Sequence, residues 1–328
     1  MQEKMWNPAT GNFIRRTDQP PAAQKSDAWG ITIVLDAYSY MVRTGNMKPE
    51  DLKNYYRSSS SLYERTDGGR GARIIARQGS EIYVGGDDDL QWVSALVNCY
   101  EATKDSLYLR DAMGAFNGLI ELGFWKSQPA GWAWNMRDQR PNGVSTSYGA
   151  LAAARLFQAT KLPVYRSWAV VALTALQSGG QVAFIPRDQM VAAEAAALMY
   201  QETHEEKFRT LALTWSKHAL TEIELVLTGK QEGERNPTDA ADLAEGFAKV
   251  ALSTKSPQFL SERDRLLRFF FTERSNDDIK ANGFYSRYLT SGKPDLSGAY
   301  LGVPCTAQYL PEVAEMLKLE AEMVLLSK

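Results

Sequence analysis

A two-helix unit recurs along most of this 328-residue chain, and it constrains the fold more than any other feature. Each unit has an apolar run of helical period that ends near a threonine, followed by a second run with more charge. The threonines are separated by 59, 57, 43 and 51 positions, which is room for two helices of three to four turns and their connections. They are Thr44, Thr103, Thr160, Thr203 and Thr254. A repeat of helical pairs predicts an all-α fold.

The two helices of a unit differ in composition. The first helices are rich in alanine and other small residues, as in 149–154 and 191–197, so they can be packed on both sides. The second helices, such as 207–222, carry more charge and can leave one face in water. We therefore expect an inner ring made of first helices and an outer ring made of second helices.

Five pairs are clear, and a sixth is expected from Ser297 to Leu326, although Pro304 and Pro311 interrupt any single helix there. An open superhelix is the alternative, but six pairs that close on themselves leave no apolar end exposed. The sequence therefore predicts one domain over residues 1–328, an (α/α)6 barrel, with a turn-rich leading loop at 1–25.

Composition excludes several classes of protein. With 44% hydrophobic residues the chain can bury a large core, but no apolar run approaches the ~18 to 20 residues of a membrane span. The net charge of −2, without a basic stripe, does not favour nucleic-acid binding. Two cysteines and two histidines predict neither a disulfide framework nor a Cys/His zinc site. We expect a monomer. The first residues show no apolar signal core, which leaves the compartment open.

Three consecutive aspartates, Asp87 to Asp89, precede the helical run that begins at Leu90. Acidic residues at a helix start commonly accept hydrogen bonds from its free N–H groups. Two adjacent carboxylates can also act as nucleophile and general acid on a glycosidic bond. Acids, amides and aromatics precede other first helices as well, and a barrel gathers these starts on one face. Such a convergence is typical of a sugar-binding groove.

Over most of its length the chain resembles glycoside hydrolase family 76, the endo-α-1,6-mannanases and related cell-wall enzymes. The matching stretches are 28–45, 87–109, 131–134, 142–160 and 187–203. The resemblance implies retaining hydrolysis of α-1,6 bonds in α-mannan, with Asp87 as nucleophile, Asp88 as general acid/base, and no metal or organic cofactor. An alignment of the family's catalytic pair with Asp88 and Asp89 also stays open. The chain departs from the family pattern at Gln91, where an aromatic residue is expected, and after Thr103.

Further residues are candidates for holding the polysaccharide or oligosaccharide. Asp89 is expected either to face solvent or to bind a sugar hydroxyl. The other candidates are Trp134, Asn142, Tyr148, Arg187 and Gln189. The family's relatives are mostly exported or bound to the cell surface.

Four other functions stay open. Two keep the glycan as ligand: a transglycosylase, and a glycan-binding protein without catalysis. A class I isoprenoid synthase would need aspartate-rich helices that bind magnesium, but Gln91 stands where its motif requires an aspartate, and the second candidate segment is Asn276 to Asp278. A sugar epimerase shares the predicted barrel, but it would use histidines, and this chain has only His204 and His218.

Overall fold

The structure is a computed structural model that describes residues 6–7, 12–13, 28–59, 84–179, 186–227, 233–234, 237–268, 288–290, 293–295, 299–300, 303–304 and 318. Ten helices of the described ranges form five consecutive pairs. The first members are α1 (Ala28–Thr44), α3 (Gly86–Thr103), α5 (Gly143–Thr160), α7 (Pro186–Thr203) and α9 (Pro237–Thr254). The second members are α2 (Pro49–Ser59), α4 (Ser106–Glu121), α6 (Pro163–Ser178), α8 (Glu206–Leu227) and α10 (Gln258–Arg268). The predicted all-α fold of repeated helical pairs is confirmed.

The recurring threonines are the last residues of the first helices, for a local reason. In α3 the Thr103 hydroxyl donates to the Cys99 carbonyl, at 2.7 Å, and accepts from the Asp105 N–H, at 3.2 Å. One side chain thus adds a second hydrogen bond to a carbonyl of the last helical turns and accepts from the amide that opens the next helix. A left-handed residue follows the threonine in four helices, and it is basic each time, which suits the negative helix end. These residues are Lys104, Lys161, His204 and Lys255.

The first helices form the inner ring and the second helices the outer ring, as predicted. Each inner helix contacts the next one in the chain, and each outer helix packs on the inner helix of its own pair. The alanine-rich segments permit this, since Ala152, Ala153 and Ala196 are almost completely buried. The first inner helix, α1, also meets α9, the last inner helix of the described ranges. The Tyr40 hydroxyl of α1 donates to Glu245 of α9 at 2.5 Å.

A network of buried charges ties the inner helices together across the barrel axis. Arg155 of α5 pairs with Glu194 of α7, at 2.8 Å, and with Glu245 of α9, at 2.6 Å. Lys318 pairs with the same Glu245 and with Asp36 of α1, at 2.8 Å each. Buried charges are tolerated when they are paired in this way. The network therefore supports the closure of the ring between α9 and α1.

Short antiparallel strands connect some of the helices. The pair β3 (Trp125–Ser127) and β4 (Ala130–Trp132) lies between α4 and α5, where the sequence indicated only a loop. The other strands of the described ranges are β1 (Trp6–Asn7), β2 (Asn12–Phe13), β5 (Gly233–Glu234), β6 (Tyr288–Thr290), β7 (Lys293–Asp295), β8 (Ala299–Tyr300) and β9 (Val303–Pro304). No helix in the described ranges is long and apolar enough to cross a membrane.

Some expectations fall mainly outside the described residues. They concern the leading loop at 1–25, the sixth helical pair at 297–326 and the acidic segment at 276–278. The single domain over residues 1–328 stays a prediction.

Candidate active site

The three consecutive aspartates occupy the first turn of α3, which begins at Gly86 after the N-cap residue Gly85. Asp87 and Asp88 are partly exposed, whereas Asp89 is completely buried. Successive side chains point in different directions around a helix, so three neighbours cannot all face one opening. The structure therefore presents Asp87 and Asp88 as the accessible pair. Asp89 does not face solvent, so the first of its two expected roles is wrong. The second, binding of a sugar hydroxyl, stays a prediction.

The surroundings of the Asp87 carboxyl act on its pKa in opposite directions. Burial raises the pKa of Asp87 above its usual value, and it is the largest influence. Against it act the N–H groups of Asp87 and Asp88, the positive charge of Arg187 and a hydrogen bond from the Trp134 side chain, all of which lower the pKa. Free amides in the first turn of a helix are suited to stabilising a negative charge. The result is a carboxyl of raised pKa with several groups that stabilise its anion.

The segment after β4 fixes Trp134 beside this turn. The Gly86 N–H donates to the Trp134 carbonyl at 2.6 Å, and the Met136 N–H donates to the Val84 carbonyl at 3.1 Å. These two bonds make an antiparallel bridge between Gly85 and Asn135. The Trp134 side chain nevertheless stays 46% exposed. An exposed indole held by its backbone is suited to stacking on a sugar ring.

The bridge requires glycine at position 86. A Cβ atom there would lie 2.1 Å from the Ala133 carbonyl oxygen, a backbone atom. The β3–β4 hairpin also packs closely against α5. A Cβ on Gly149 would lie 2.4 Å from the buried Trp132 ring. Two glycines of two inner helices thus set the position of the segment that carries Trp134.

Arg187 stands near the start of α7 and connects two groups of the site. It contacts Asp188 Oδ1 through Nε, at 3.2 Å, and through Nη2, at 3.1 Å. Asp188 is completely buried, whereas the Arg187 side chain is 19% exposed. The Arg187 charge lowers the pKa of Asp87 and also acts on Tyr148. Arg187 is therefore close to both the aspartate pair and α5.

Tyr148 and Asp242 form a pair that joins α5 and α9. The Tyr148 hydroxyl donates to Asp242 Oδ2 at 2.5 Å. Burial raises the pKa of Tyr148, and the Asp242 charge adds to the rise, so the phenol keeps its proton. Asp242 is the residue that sequence reasoning missed. Because the two residues are 94 positions apart, the local periodicity of the sequence does not indicate their contact.

Two of the predicted substrate residues have other contacts. Asn142 is the N-cap residue of α5, and its side chain accepts from the Val144 N–H at 2.7 Å. Gln189 is buried, and its Oε1 lies 2.6 Å from Nδ1 of His218 on the outer helix α8. This contact joins the start of α7 to the outer ring. Asn142 and Gln189 stay predictions as substrate residues. Their contacts with Val144 and His218 are structural.

A small cavity of about 30 Å³, enough for one or two water molecules, lies among the inner helices. Its lining includes Gln91 of α3, Tyr148 and Arg155 of α5, Glu194 of α7 and Asp242 of α9. Hydroxyl, amide and carboxylate groups from several helices thus face a common space. A space of this size can hold water that hydrogen-bonds to these groups, but it is too small for a sugar ring. In the described part of the chain, no group of three or more His, Cys, Asp or Glu residues could hold a metal ion.

The sequence matches no model of a protein family and no curated protein. The structure, however, is similar to solved structures over its whole length. One is a family 76 α-mannanase of Bacteroides thetaiotaomicron, with a TM-score of 0.78 at 16% identity, where the similarity covers 100% of this chain and 94% of the other. Another is an inactive variant of an α-1,6-mannanase of Salegentibacter sp., with a TM-score of 0.71 at 14% identity and coverages of 99% and 96%.

A third similar structure comes from a protein with different chemistry. It is cellobiose 2-epimerase of Spirochaeta thermophila, with a TM-score of 0.66 at 15% identity and coverages of 99% and 93%. The likeness is thus one of fold, and it does not by itself decide between activities. The chain has the all-α barrel fold of the family 76 glycoside hydrolase structures, as its sequence resemblance implied.

Proposed function

We propose that this protein is a glycoside hydrolase that cleaves α-1,6-mannosidic bonds in α-mannan with retention of configuration. The observation that carries the proposal is the adjacent pair Asp87 and Asp88, partly exposed at the start of an inner helix beside the exposed Trp134. The Salegentibacter enzyme supports it, because that inactive variant has two consecutive aspartates replaced and is bound to α-1,6-mannotetrose. The same pairing of acids with a sugar platform is expected here.

In the proposed mechanism Asp87 is the nucleophile and Asp88 the general acid/base. First-turn amides, Arg187 and Trp134 stabilise the Asp87 anion, which is the form that attacks the anomeric carbon. Asp88 gives its proton to the leaving oxygen and then removes one from the water that hydrolyses the glycosyl-enzyme. The assignment of the pair to Asp87 and Asp88, and not to Asp88 and Asp89, is supported by the complete burial of Asp89.

The role of each remaining residue follows from its position. Trp134 would stack on a sugar ring, and the Tyr148–Asp242 pair would accept hydrogen bonds from sugar hydroxyls. Arg187 would stabilise the negative charge of Asp87. This chemistry needs no cofactor and no second subunit, so we keep the prediction of a monomer.

The alternatives are less well supported. A sugar epimerase would need histidines at the site, but His204 follows the end of α7 and His218 lies on the outer helix α8. A class I isoprenoid synthase would need two magnesium-binding acidic segments, and one of its candidates lies outside the described residues. A glycan-binding protein without catalysis and a transglycosylase share this site, so an assay must separate them.

The test is product analysis with α-1,6-linked mannan and defined α-1,6-mannooligosaccharides. We expect release of reducing sugar from the wild type, and a loss of at least about 10³-fold in Asp87→Asn and in Asp88→Asn, as for an essential nucleophile and acid. Asp51→Asn is the matched control, because Asp51 is an exposed acid in the first turn of the outer helix α2. Near-wild-type turnover in both site variants would refute the assignment.

The same assay separates the rivals. Binding of mannooligosaccharide without product would favour a glycan-binding protein. Longer oligosaccharides as the main product would favour a transglycosylase. Retention is tested by the anomeric form of the first product, and inversion would refute the two-step mechanism.

A further inference from the structure

A cavity of about 550 Å³ lies at the end of the barrel opposite the aspartates. Its lining comes from the last two turns of the inner helices α3, α5, α7 and α9 and from two residues directly after them. On α3, Asp87 lies in the first turn and Glu101 in the last, which separates them by about 20 Å along the helix axis at ~1.5 Å per residue. The volume lies in the range of ligand pockets, roughly 300 to 1,000 Å³, whereas the cavity beside Tyr148 is far smaller.

The helix ends that form this cavity are tied to one another. Arg43, near the end of α1, donates to Glu101 of α3 at 3.2 Å. The Ser253 hydroxyl of α9 donates to Gln201 Oε1 of α7 at 3.3 Å. Both bonds join neighbouring inner helices within their last turns. The walls of the cavity are therefore set by the packing of the inner ring.

The charges around this cavity are balanced, which disfavours an anion as its ligand. Burial is the largest influence on the pKa of two glutamates of the central network and raises it, and the positive charge of Lys249 acts against burial. Lys249 therefore already has negative partners, and Glu101 has Arg43. Lys255 and His204 directly follow helix ends, whose negative dipole offsets a positive charge. A neutral ligand fits these surroundings better than a charged one.

We propose that this cavity is a second, non-catalytic saccharide site. The amides of Gln158 and Gln201 both donate to and accept from sugar hydroxyls, and the Lys249 ammonium adds a donor. Leu252, which is 63% exposed, and Tyr200 offer apolar surface to the C–H faces of a sugar ring. A polysaccharide held at this end raises the local concentration of its other segments at the aspartates. The choice of mannose as the sugar rests on the proposed function.

The first experiment measures binding without turnover. The protein is the full chain with Asp87→Asn and Asp88→Asn, its leucine methyl groups are labelled with ¹³C, and the probe is α-1,6-mannotetraose. The Leu252 signals are identified by their loss in Leu252→Met, and we expect them to shift saturably with the probe. Leu162, which is 42% exposed beside the end of α5 but does not line the cavity, should not shift. Unchanged Leu252 signals would overturn the proposal.

Variants of the lining assign the shift to this cavity. Gln158→Ala should raise the Kd measured from the Leu252 shift about tenfold, the size expected for the loss of one or two hydrogen bonds. Gln177→Ala is the matched control, because Gln177 is an exposed glutamine of the outer helix α6. Ser253→Phe places a ring in the cavity and should abolish the shift. Equal Kd values for the two glutamine variants, or a shift caused by inorganic phosphate and not by the sugar, would overturn the proposal.

The second experiment compares two substrates with otherwise wild-type protein. Gln158→Ala should keep kcat and KM on α-1,6-mannotetraose, because the aspartates are at the other end of the barrel, but should raise KM on polymeric α-1,6-mannan several-fold. A KM on the polymer equal to that of the wild type would overturn the role in holding polysaccharide. An inactive wild type whose Leu252 signals still shift would refute the proposed function and leave the second site in place. An active wild type without that shift would overturn the second site alone.

Discussion

Gly86→Ala should separate activity from stability, because it acts on the position of the aspartate pair. The new Cβ would lie 2.1 Å from the Ala133 oxygen. Contacts of Cβ with other atoms below 3.0 Å are essentially never observed, so the first turn of α3 and the Trp134 segment must separate by roughly 0.9 Å. Both clashing groups are backbone, and no side-chain rotation can relieve the clash. The hydrogen bond from Gly86 to Trp134 must lengthen by a similar distance.

A displacement of about 1 Å at the reacting groups costs on the order of 10²-fold in rate. This corresponds to about 2.7 kcal/mol of transition-state stabilisation. The loss of stability should be about 1 to 3 kcal/mol, as for an overpacked site that the structure relaxes around, which is less than the ~5 to 15 kcal/mol that typically holds a domain folded. We therefore expect Gly86→Ala to fold and to lose most of its activity on α-1,6-mannan.

The measurement combines kcat/KM on mannooligosaccharides with urea unfolding. Gly123→Ala is the matched control: Gly123 has a φ of +73°, and no atom lies within 4 Å of the position that a Cβ would take there. It introduces backbone strain of roughly 1 to 2 kcal/mol without displacing the aspartates. If Gly86→Ala keeps wild-type kcat/KM, or if Gly123→Ala loses as much activity, the link between this close approach and the site geometry is wrong.

Two further predictions concern the buried charges. Arg155→Met removes the guanidinium from between Glu194 and Glu245, which are both almost completely buried, so we expect a loss of about 3 to 5 kcal/mol in the free energy of unfolding at pH 7. Adding Glu194→Gln should recover part of that loss, and urea unfolding of the single and double variants would disprove the idea if the two changes were additive. Asp87→Asn should be more stable than the wild type at pH 7, because the raised pKa of Asp87 means that folding favours its neutral form. The difference should shrink as the pH falls through the raised folded-state pKa of Asp87, and should be largely gone below about 4, where the carboxyl is protonated in the folded and unfolded states alike; thermal unfolding at several pH values would contradict the prediction if Asp87→Asn were less stable throughout.

Local patterns predicted the framework of this protein. Thr103 and Thr160 end inner helices where the threonine hydroxyl donates to the carbonyl four residues back and accepts from the N–H two residues on, and this chemistry is contained in a few consecutive residues. Alanine-rich helices were assigned to the inner ring because small side chains allow packing on both sides. The position of the aspartates at the start of α3 also followed from the apolar period after Leu90. In each case the determining interaction spans one helix or one connection.

Only the tertiary structure decided which side chains face each other. Asp87, Asp88 and Asp89 are equivalent as neighbours in the sequence, but the packing of α3 leaves two partly exposed and buries the third. Gln189 and Arg187 lie two positions apart, yet the buried Gln189 contacts the outer helix and Arg187 the site. Asp242 meets Tyr148 only because the inner helices surround one axis, so that a side chain of α9 can reach one of α5, although α7 lies between the two helices in the ring. Periodicity specifies a helix and its buried face, whereas the partner of a polar side chain depends on how several helices are arranged around one axis.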